Sequence, residues 1–180
     1  MSELRTNRIV PRDGLPSGSS GGIIQVKQTV KSDTFSKNSS SWADITGMSV
    51  SIAPTRADSK VFVMVDIKIG AEHGDSDFHI KLVRGSTDVY VGDTEGSRTS
   101  SSMGSPSYSM PSNTSDGQYY LKQVSLNYLD SPSTTSSTTY KLQIKNYGGR
   151  TNYVNRTGND TNNQVYPRTA SSITVMEVSG

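Results

Sequence analysis

The residues that could carry chemistry are few. Asp75 and Asp77 flank Ser76 and fall on one side of an extended chain, as paired oxygen ligands for a divalent cation would. Calcium asks for six or more oxygens, and no EF-hand loop surrounds this pair, so a solvated turn is the expectation. His73 lies in a polar turn and His79 on the polar side of an alternating run. Neither stands in a His-x-His or HExxH spacing, so both read as exposed structural side chains rather than zinc ligands. Serine is abundant, yet no Gly-x-Ser-x-Gly elbow is present. The glycine run at 18–22 lacks the Gly-Lys-Ser/Thr ending of a phosphate loop. Nothing marks a pair of carboxylates for glycoside cleavage. The sequons at Asn38, Asn113, Asn155 and Asn159 are chance matches in a Ser/Thr-rich chain. The expectation is a non-enzymatic protein with no catalytic residue, no metal and no cofactor.

Recognition is the chemistry that remains. The chain holds nine Tyr against three Phe and one Trp, and a tyrosine offers a stacking face with a polar tip for sugars or protein contact. Tyr147, Tyr153 and Tyr166 lie around loops near the C-terminus and Tyr108 lies in a long polar stretch. These four are the candidate receptor contacts, while Tyr120, Tyr128 and Tyr140 sit in alternating runs and read as cross-strand packing. Near the N-terminus, Arg5, Arg8 and Arg12 are interspersed with Leu4, Ile9, Val10 and Leu15. Arginines among apolar residues and prolines suit a protein interface, where each can grip a carboxylate with two bonds, better than contact with packaged nucleic acid.

Stepping outward from these side chains, the segment 1–22 has two prolines and ends in a Gly/Ser run, which forbids a stable helix and shows neither period. It reads as an extended docking arm, its plain alternative being a disordered tail on a flexible linker. From residue 23 the period is two. Ile24, Val26 and Val30 alternate with polar neighbours, as do Met48, Val50 and Ile52. Val61, Val63, Val65, Ile67 and Ile69 line one side of the strongest strand, at 60–69. Phe78, Ile80 and Leu82 follow, then a turn at 85–88 and a short return through Val89, Tyr90 and Val91. The stretch 93–117 has no period and reads as a loop or an insertion that grips a neighbour. A long strand at 118–129, a clean alternation at Tyr140, Leu142 and Ile144, a short Tyr153-Val154 strand and a central strand at 171–178 complete the chain. With no 3.6-residue pattern of useful length, the predicted fold is all-β, an antiparallel sandwich or jelly roll of about eight strands over 23–180.

The bulk properties agree with this. Of 180 residues, 31% are hydrophobic and 19% charged, and the net charge is only +2. A disordered chain pairs low hydrophobicity with high net charge, so a thin, loop-rich β protein is favoured. A pI near 8.8 is too mild for a nucleic-acid footprint. With no cysteine there is neither a disulfide framework nor a cysteine-based metal site. The first residues lack the apolar core of a signal peptide and no run approaches a membrane span, so synthesis in a cytoplasm without membrane insertion is expected.

Several runs carry a family likeness. They include Arg8-Ile9-Val10-Pro11-Arg12-Asp13-Gly14-Leu15-Pro16, Gly21-Gly22-Ile23-Ile24-Gln25-Val26 and Ile45-Thr46-Gly47-Met48-Ser49-Val50-Ser51-Ile52. Leu82-Val83-Arg84-Gly85-Ser86, Val91-Gly92-Asp93, Leu129-Asp130-Ser131-Pro132, Thr138-Thr139-Tyr140-Lys141-Leu142-Gln143 and 169–177 belong with them. Together they resemble tail-fibre-like particle proteins of tailed phages that infect cyanobacteria and other marine bacteria. The likeness spans nearly the whole chain and is weakest over 93–117. It implies a structural or adhesive virion component, a homotrimer docked through the N-terminal arm onto other phage tail or capsid proteins. Such a component is a tail fibre or appendage, a host-receptor or glycan adhesin, or a capsid decoration protein.

Overall fold

The computed structural model describes residues 21–106, 116–147 and 149–180. The docking-arm residues and Tyr108 therefore lie outside the described residues. The strands are β1 (Ile23–Lys31), β2 (Phe35–Lys37), β3 (Ala43–Ile52), β4 (Lys60–Ala71), β5 (Phe78–Arg84), β6 (Thr87–Val89), β7 (Met103–Ser105), β8 (Leu121–Asp130), β9 (Thr138–Lys145), β10 (Asn152–Val154) and β11 (Ser171–Val178). One 3₁₀ turn, Asp116–Tyr119, precedes β8. Among the described residues no helix is long and apolar enough to cross a membrane.

All pairings are antiparallel, and they sort the strands into two sheets. In the first, β1 lies beside β11, β11 beside β4, and β8 covers the other edge of β4. The C-terminal half of β4 pairs with β10, and β10 with β2. Thus β1 and β2 follow one another along one lane of the sheet, and β10 and β11 along the next. In the second sheet the order is β3, β9, β5, with β6 and β7 sharing the far edge of β5. Joining the strands that share a lane leaves eight, ordered 1-8-3-6 in one sheet and 2-7-4-5 in the other. That interleaving is the jelly roll, an antiparallel β-sandwich in which consecutive strands mostly alternate between the two layers.

The core follows from period-two patterning. Val61, Val63, Val65, Ile67 and Ile69 of β4 all point inward and are at most 3% exposed. They meet Met48, Val50 and Ile52 of β3, Ile80 and Leu82 of β5, and Tyr140, Leu142 and Ile144 of β9. Burying each such aliphatic side chain contributes about 1.5–3 kcal/mol. β11 lies between β1 and β4, as expected, and buries Ile173 and Val175.

The edge strand β1 turns the other way. Its inward positions are polar at both ends: Gln25 reaches Glu177, and Lys31 is buried to 2% exposure. Lys31 runs beneath the bulge of β3, where Gly47 adopts φ 83° and brings its backbone close to the lysine stem. Val26 and Val30 consequently face outward, 52% and 59% exposed. Register carries the apolar surface across the whole sheet, in a row Val26, Met176, Phe62, Leu129.

Two buried carboxylates pin one end of the sandwich. Asp130, at the end of β8, accepts from the Tyr140 hydroxyl at 2.6 Å and from Arg84 Nη1 at 2.8 and 2.9 Å. Glu177, on β11, accepts from the Thr55 amide, the Thr55 hydroxyl and Gln25 Nε2, each at 2.7 Å. Glu177 thereby ties the loop between β3 and β4 to the first sheet.

Several local expectations change. The aperiodic stretch 93–117 contains β7, which pairs with β5, and the start of the 3₁₀ turn. The strand expected from residue 118 begins at Leu121, leaving Tyr120 43% exposed just ahead of it rather than packed across strands. The return strand stops at Val89, because Tyr90 has φ 52° and leaves the extended region. β2 went unforeseen, three residues being too short to show a period.

Candidate functional site

The opposite end of the sandwich gathers the loops 38–42, 72–77 and 146–151, and hydrogen bonds tie them together. The Asn146 amide donates to the Ser39 carbonyl at 2.9 Å, and its side chain to the Arg150 carbonyl at 2.7 Å. Glu72 and Thr151 exchange two bonds, at 2.9 and 2.7 Å. Asp77, 6% exposed, accepts from the Tyr147 amide at 3.0 and 3.2 Å and lies 3.3 Å from His79 Nε2. Asp75 lies 3.5 Å from Arg150. The two aspartates thus face separate partners, and among the described residues no group of three His, Asp or Glu could hold a metal ion.

Tyr147 stands at the edge of this network, 60% exposed. Its phenol oxygen accepts from Lys145 Nζ at 2.7 Å and from the Thr99 hydroxyl at 3.3 Å. Lys145 is itself 9% exposed, and its ammonium lies 4.6 Å from the Tyr147 ring centroid and 5.0 Å from that of Trp42. Lys81 approaches the Trp42 ring at 4.7 Å and pairs with Asp88 at 2.8 Å. A cation held between aromatic faces gains from the ring quadrupoles, which offsets its desolvation. Hydrogen bonding from Lys145, then from Thr99, lowers the Tyr147 phenol below its ordinary value. Burial lowers His79, and Lys145 adds to this against the opposing pull of Asp77, so the imidazole is neutral at neutral pH.

Beside Tyr147 an open cleft of about 510 Å³ is walled by His79, by Arg98 and Thr99, and by the backbone at Gly104 and Pro106. Its far wall is a stapled segment. The Gly92 amide donates to the Ser101 carbonyl at 3.1 Å, the Ser100 hydroxyl to the Asp93 carbonyl at 2.9 Å, and the Ser102 amide to the Ile80 carbonyl at 2.8 Å. The arrangement is a set of fixed donors around one exposed aromatic ring.

Among the described residues, the candidate tyrosines Tyr153 and Tyr166 do not join it. Tyr153, on β10, is half-buried with the Arg156 guanidinium 3.7 Å over its ring. Tyr166 stacks on Tyr119 with centroids 6.1 Å apart. Tyr128 packs on the core and Tyr140 is buried within it. Sequence reasoning missed Trp42, Arg98 and Lys145 and left His79 as an exposed bystander. A signal for Lys145 existed: it stands two residues before Tyr147, on the same side of an extended chain. Trp42 needed the register, since Ala43 pairs with Ile144 and so places Trp42 beside Lys145.

Fold and site together define a jelly-roll β-sandwich with an open cleft at one loop end. No protein-family profile matches the chain, and no curated protein matches it. Solved structures that it is similar to include that of infectious bursal disease virus Gt strain, with 13% identity and a TM-score of 0.45 over 98% of this chain and 47% of that one. T=1 particles derived from infectious bursal virus give 11% and 0.44, over 98% and 41%. The infectious bursal disease virus VP2 subviral particle gives 17% and 0.38, over 98% and 42%. The chain spans less than half the length of each of these. The jelly-roll assignment rests on the strand order and pairing described above.

Proposed function

We propose that this chain is a non-enzymatic structural protein of a tailed-phage virion, a tail-fibre or appendage component that docks through residues 1–22 and acts as a homotrimer. The observation that carries the reading is the outer face of the first sheet. There the row Val26, Met176, Phe62 and Leu129 crosses four strands, flanked by Met64. A contiguous apolar surface on a chain this polar is a surface for subunit packing. The family likeness read from the sequence and the arm-plus-sandwich layout support the same conclusion. Cryo-electron microscopy of intact particles tests it: a few trimers at the tail support the fibre reading. Copies across the shell in numbers near those of the shell subunits make it a capsid decoration protein instead. Deleting residues 1–22 leaves a folded domain that no longer joins particles; normal incorporation of the truncated chain overturns the docking role.

A second role, host attachment as an adhesin, coexists with the first and is favoured by one observation, the exposed and hydrogen-bonded Tyr147 at the cleft. Particles carrying alanine at Tyr147, Tyr153 and Tyr166 should assemble but fail to adsorb to cells; unchanged adsorption removes this role.

A further inference from the structure

The geometry points to a specific ligand class for the cleft beside Tyr147, and we propose that it binds an acidic saccharide, a sugar bearing a carboxylate or a sulfate ester. The inference deepens the attachment reading and rests on it for its biological role, though the binding itself stands on the side chains.

The donors decide the class. A phenol oxygen has two lone pairs and one proton. In Tyr147 the lone pairs are taken by Lys145 and Thr99, so the proton is what the group offers a ligand. An ammonium 2.7 Å from the oxygen polarises that O–H, which makes it a stronger donor and favours an acceptor carrying negative charge. Arg98 stands on the same cleft with a side chain 76% exposed. Its contacts are a 3.3 Å bond to the Glu95 carbonyl and a loose 4.0 Å approach to the Glu95 carboxylate. Most of its five donors are therefore uncommitted. The acidic group nearest the floor, Asp77, is already engaged by the Tyr147 amide and by His79. The cleft thus offers one exposed cation, Arg98, and a polarised hydroxyl to an anion.

The remaining wall decides for a sugar over an acidic peptide. The Lys145 ammonium lies 4.6 Å from the Tyr147 ring centroid, beside the phenol oxygen, and the His79 ring meets it in a T-shaped contact at 5.9 Å, while the residue stays 60% exposed. The exposed part of the ring suits the C–H side of a pyranose. Ser97 and Ser101 supply hydroxyls, which pair with sugar hydroxyls in either direction. A bound peptide strand would draw instead on main-chain groups at a free sheet edge and on apolar pockets for its side chains. At about 510 Å³ the cleft falls in the usual size range of small-ligand sites. The Asp77 clasp on the Tyr147 backbone fixes the ring before any ligand arrives, which cuts the ordering cost of binding.

Calorimetric titration of the full chain tests this with an oligogalacturonate, a sulfated oligosaccharide, a neutral maltooligosaccharide and inorganic sulfate. Saturable binding of either acidic oligosaccharide, at least about tenfold tighter than the neutral one or free sulfate, supports the proposal. Tyr147→Phe removes the donor and keeps the ring, and Arg98→Gln removes the exposed cation. Each should weaken the acidic ligand about tenfold; Arg98→Gln should keep the Tm of the parent, whereas Tyr147→Phe, which takes the acceptor from the buried Lys145 ammonium, should also lower it. Equal affinity for acidic and neutral oligosaccharides, or parental affinity in both variants, overturns it. Adsorption is scored separately: Tyr147→Phe particles that adsorb normally despite losing the sugar remove the attachment role and leave the binding site standing.

Discussion

The cluster of Asp130, Tyr140 and Arg84 offers the sharpest test of how the fold is held. Asp130 is 3% exposed and Tyr140 is fully buried, whereas the Arg84 side chain keeps 28% of its surface in solvent. Tyr140→Phe removes one 2.6 Å hydrogen bond to a carboxylate and leaves Asp130 its two bonds to Arg84. A hydrogen bond to a charged group contributes about 1.5–3 kcal/mol. At roughly 2–4 °C per kcal/mol for a chain of this size, a loss near 2 kcal/mol lowers the Tm by about 4–8 °C. Asp130→Ala does more, because it strands the Tyr140 hydroxyl in the core and leaves Arg84 without its counter-ion. Breaking a buried pair in this way costs about 3–5 kcal/mol. The two changes are coupled: once Asp130 is gone, Tyr140→Phe deletes only a stranded hydroxyl, so in that background it should be neutral or stabilising. Urea denaturation at fixed chain concentration, followed by the fluorescence of Trp42, the sole tryptophan, gives all four corners of the cycle. An equal cost for Tyr140→Phe with and without Asp130 refutes the account. The same cluster has an alkaline signature. Burial first, and then the Asp130 carboxylate, push the Tyr140 phenol far above its ordinary value of 10.0. A raised folded-state pKa means that this stabilisation is complete below about pH 10 and declines at higher pH, as the unfolded chain alone releases the proton.

Glu177 should set the acid limb of stability. Burial alone would raise its carboxyl, but the bonds from Gln25 and Thr55 outweigh burial and hold it below the ordinary 4.5. Its contribution is therefore complete above about pH 4.5 and lost as the pH falls through the depressed folded-state value. Glu177→Gln should cost about 2 kcal/mol at neutral pH and flatten that limb in a Tm-against-pH series. Gly70→Ala would set a Cβ 2.2 Å from the Arg156 carbonyl oxygen, between a central strand and the segment packed across it. A loss of about 3 kcal/mol is expected, and an unchanged urea midpoint would show that the chain at 155–158 can yield. Lys145→Met removes the ammonium that lowers Tyr147, so the most acidic tyrosine seen in a spectrophotometric titration should move up toward 10. A titration identical to that of the parent would separate Lys145 from Tyr147.

Strands whose apolar residues alternate and face one core were legible in the sequence: β3, β4, β5, β9 and β11 all lie where Met48, Val61, Ile80, Leu142 and Ile173 place them. A local period names a strand without naming its partner or saying which side faces in. β1 shows the second limit, since Val26 and Val30 carry the apolar side and yet face solvent. What turned the strand was long-range: Glu177, 152 residues away, needed Gln25, and the bulge at Gly47 gave the Lys31 stem a buried path. β7 shows another limit, because three residues in a Ser-rich run pair only where β5 offers an open edge.

The site was legible in part for the same reason. An excess of tyrosine over phenylalanine pointed to recognition, and Tyr147 was among the candidates, but composition ranked it equally with Tyr153 and Tyr166. The neighbours that distinguish Tyr147 come from four places: Lys145 at the end of β9, Trp42 across the register, Asp77 from the loop between β4 and β5, and Thr99 from the polar segment after β6. Those places become neighbours only because the jelly roll carries alternate loops to one end. The sandwich thereby separates two uses of polar groups. At the end closed by Asp130 and Glu177 the carboxylates are buried and engaged by the protein's own donors, so their loss is read as stability. At the other end Arg98 stays exposed with donors uncommitted, so its loss should leave stability intact and be read as binding. An Arg98→Gln variant with an unchanged Tm beside an Asp130→Ala variant with a sharply lowered one is the pattern this division requires.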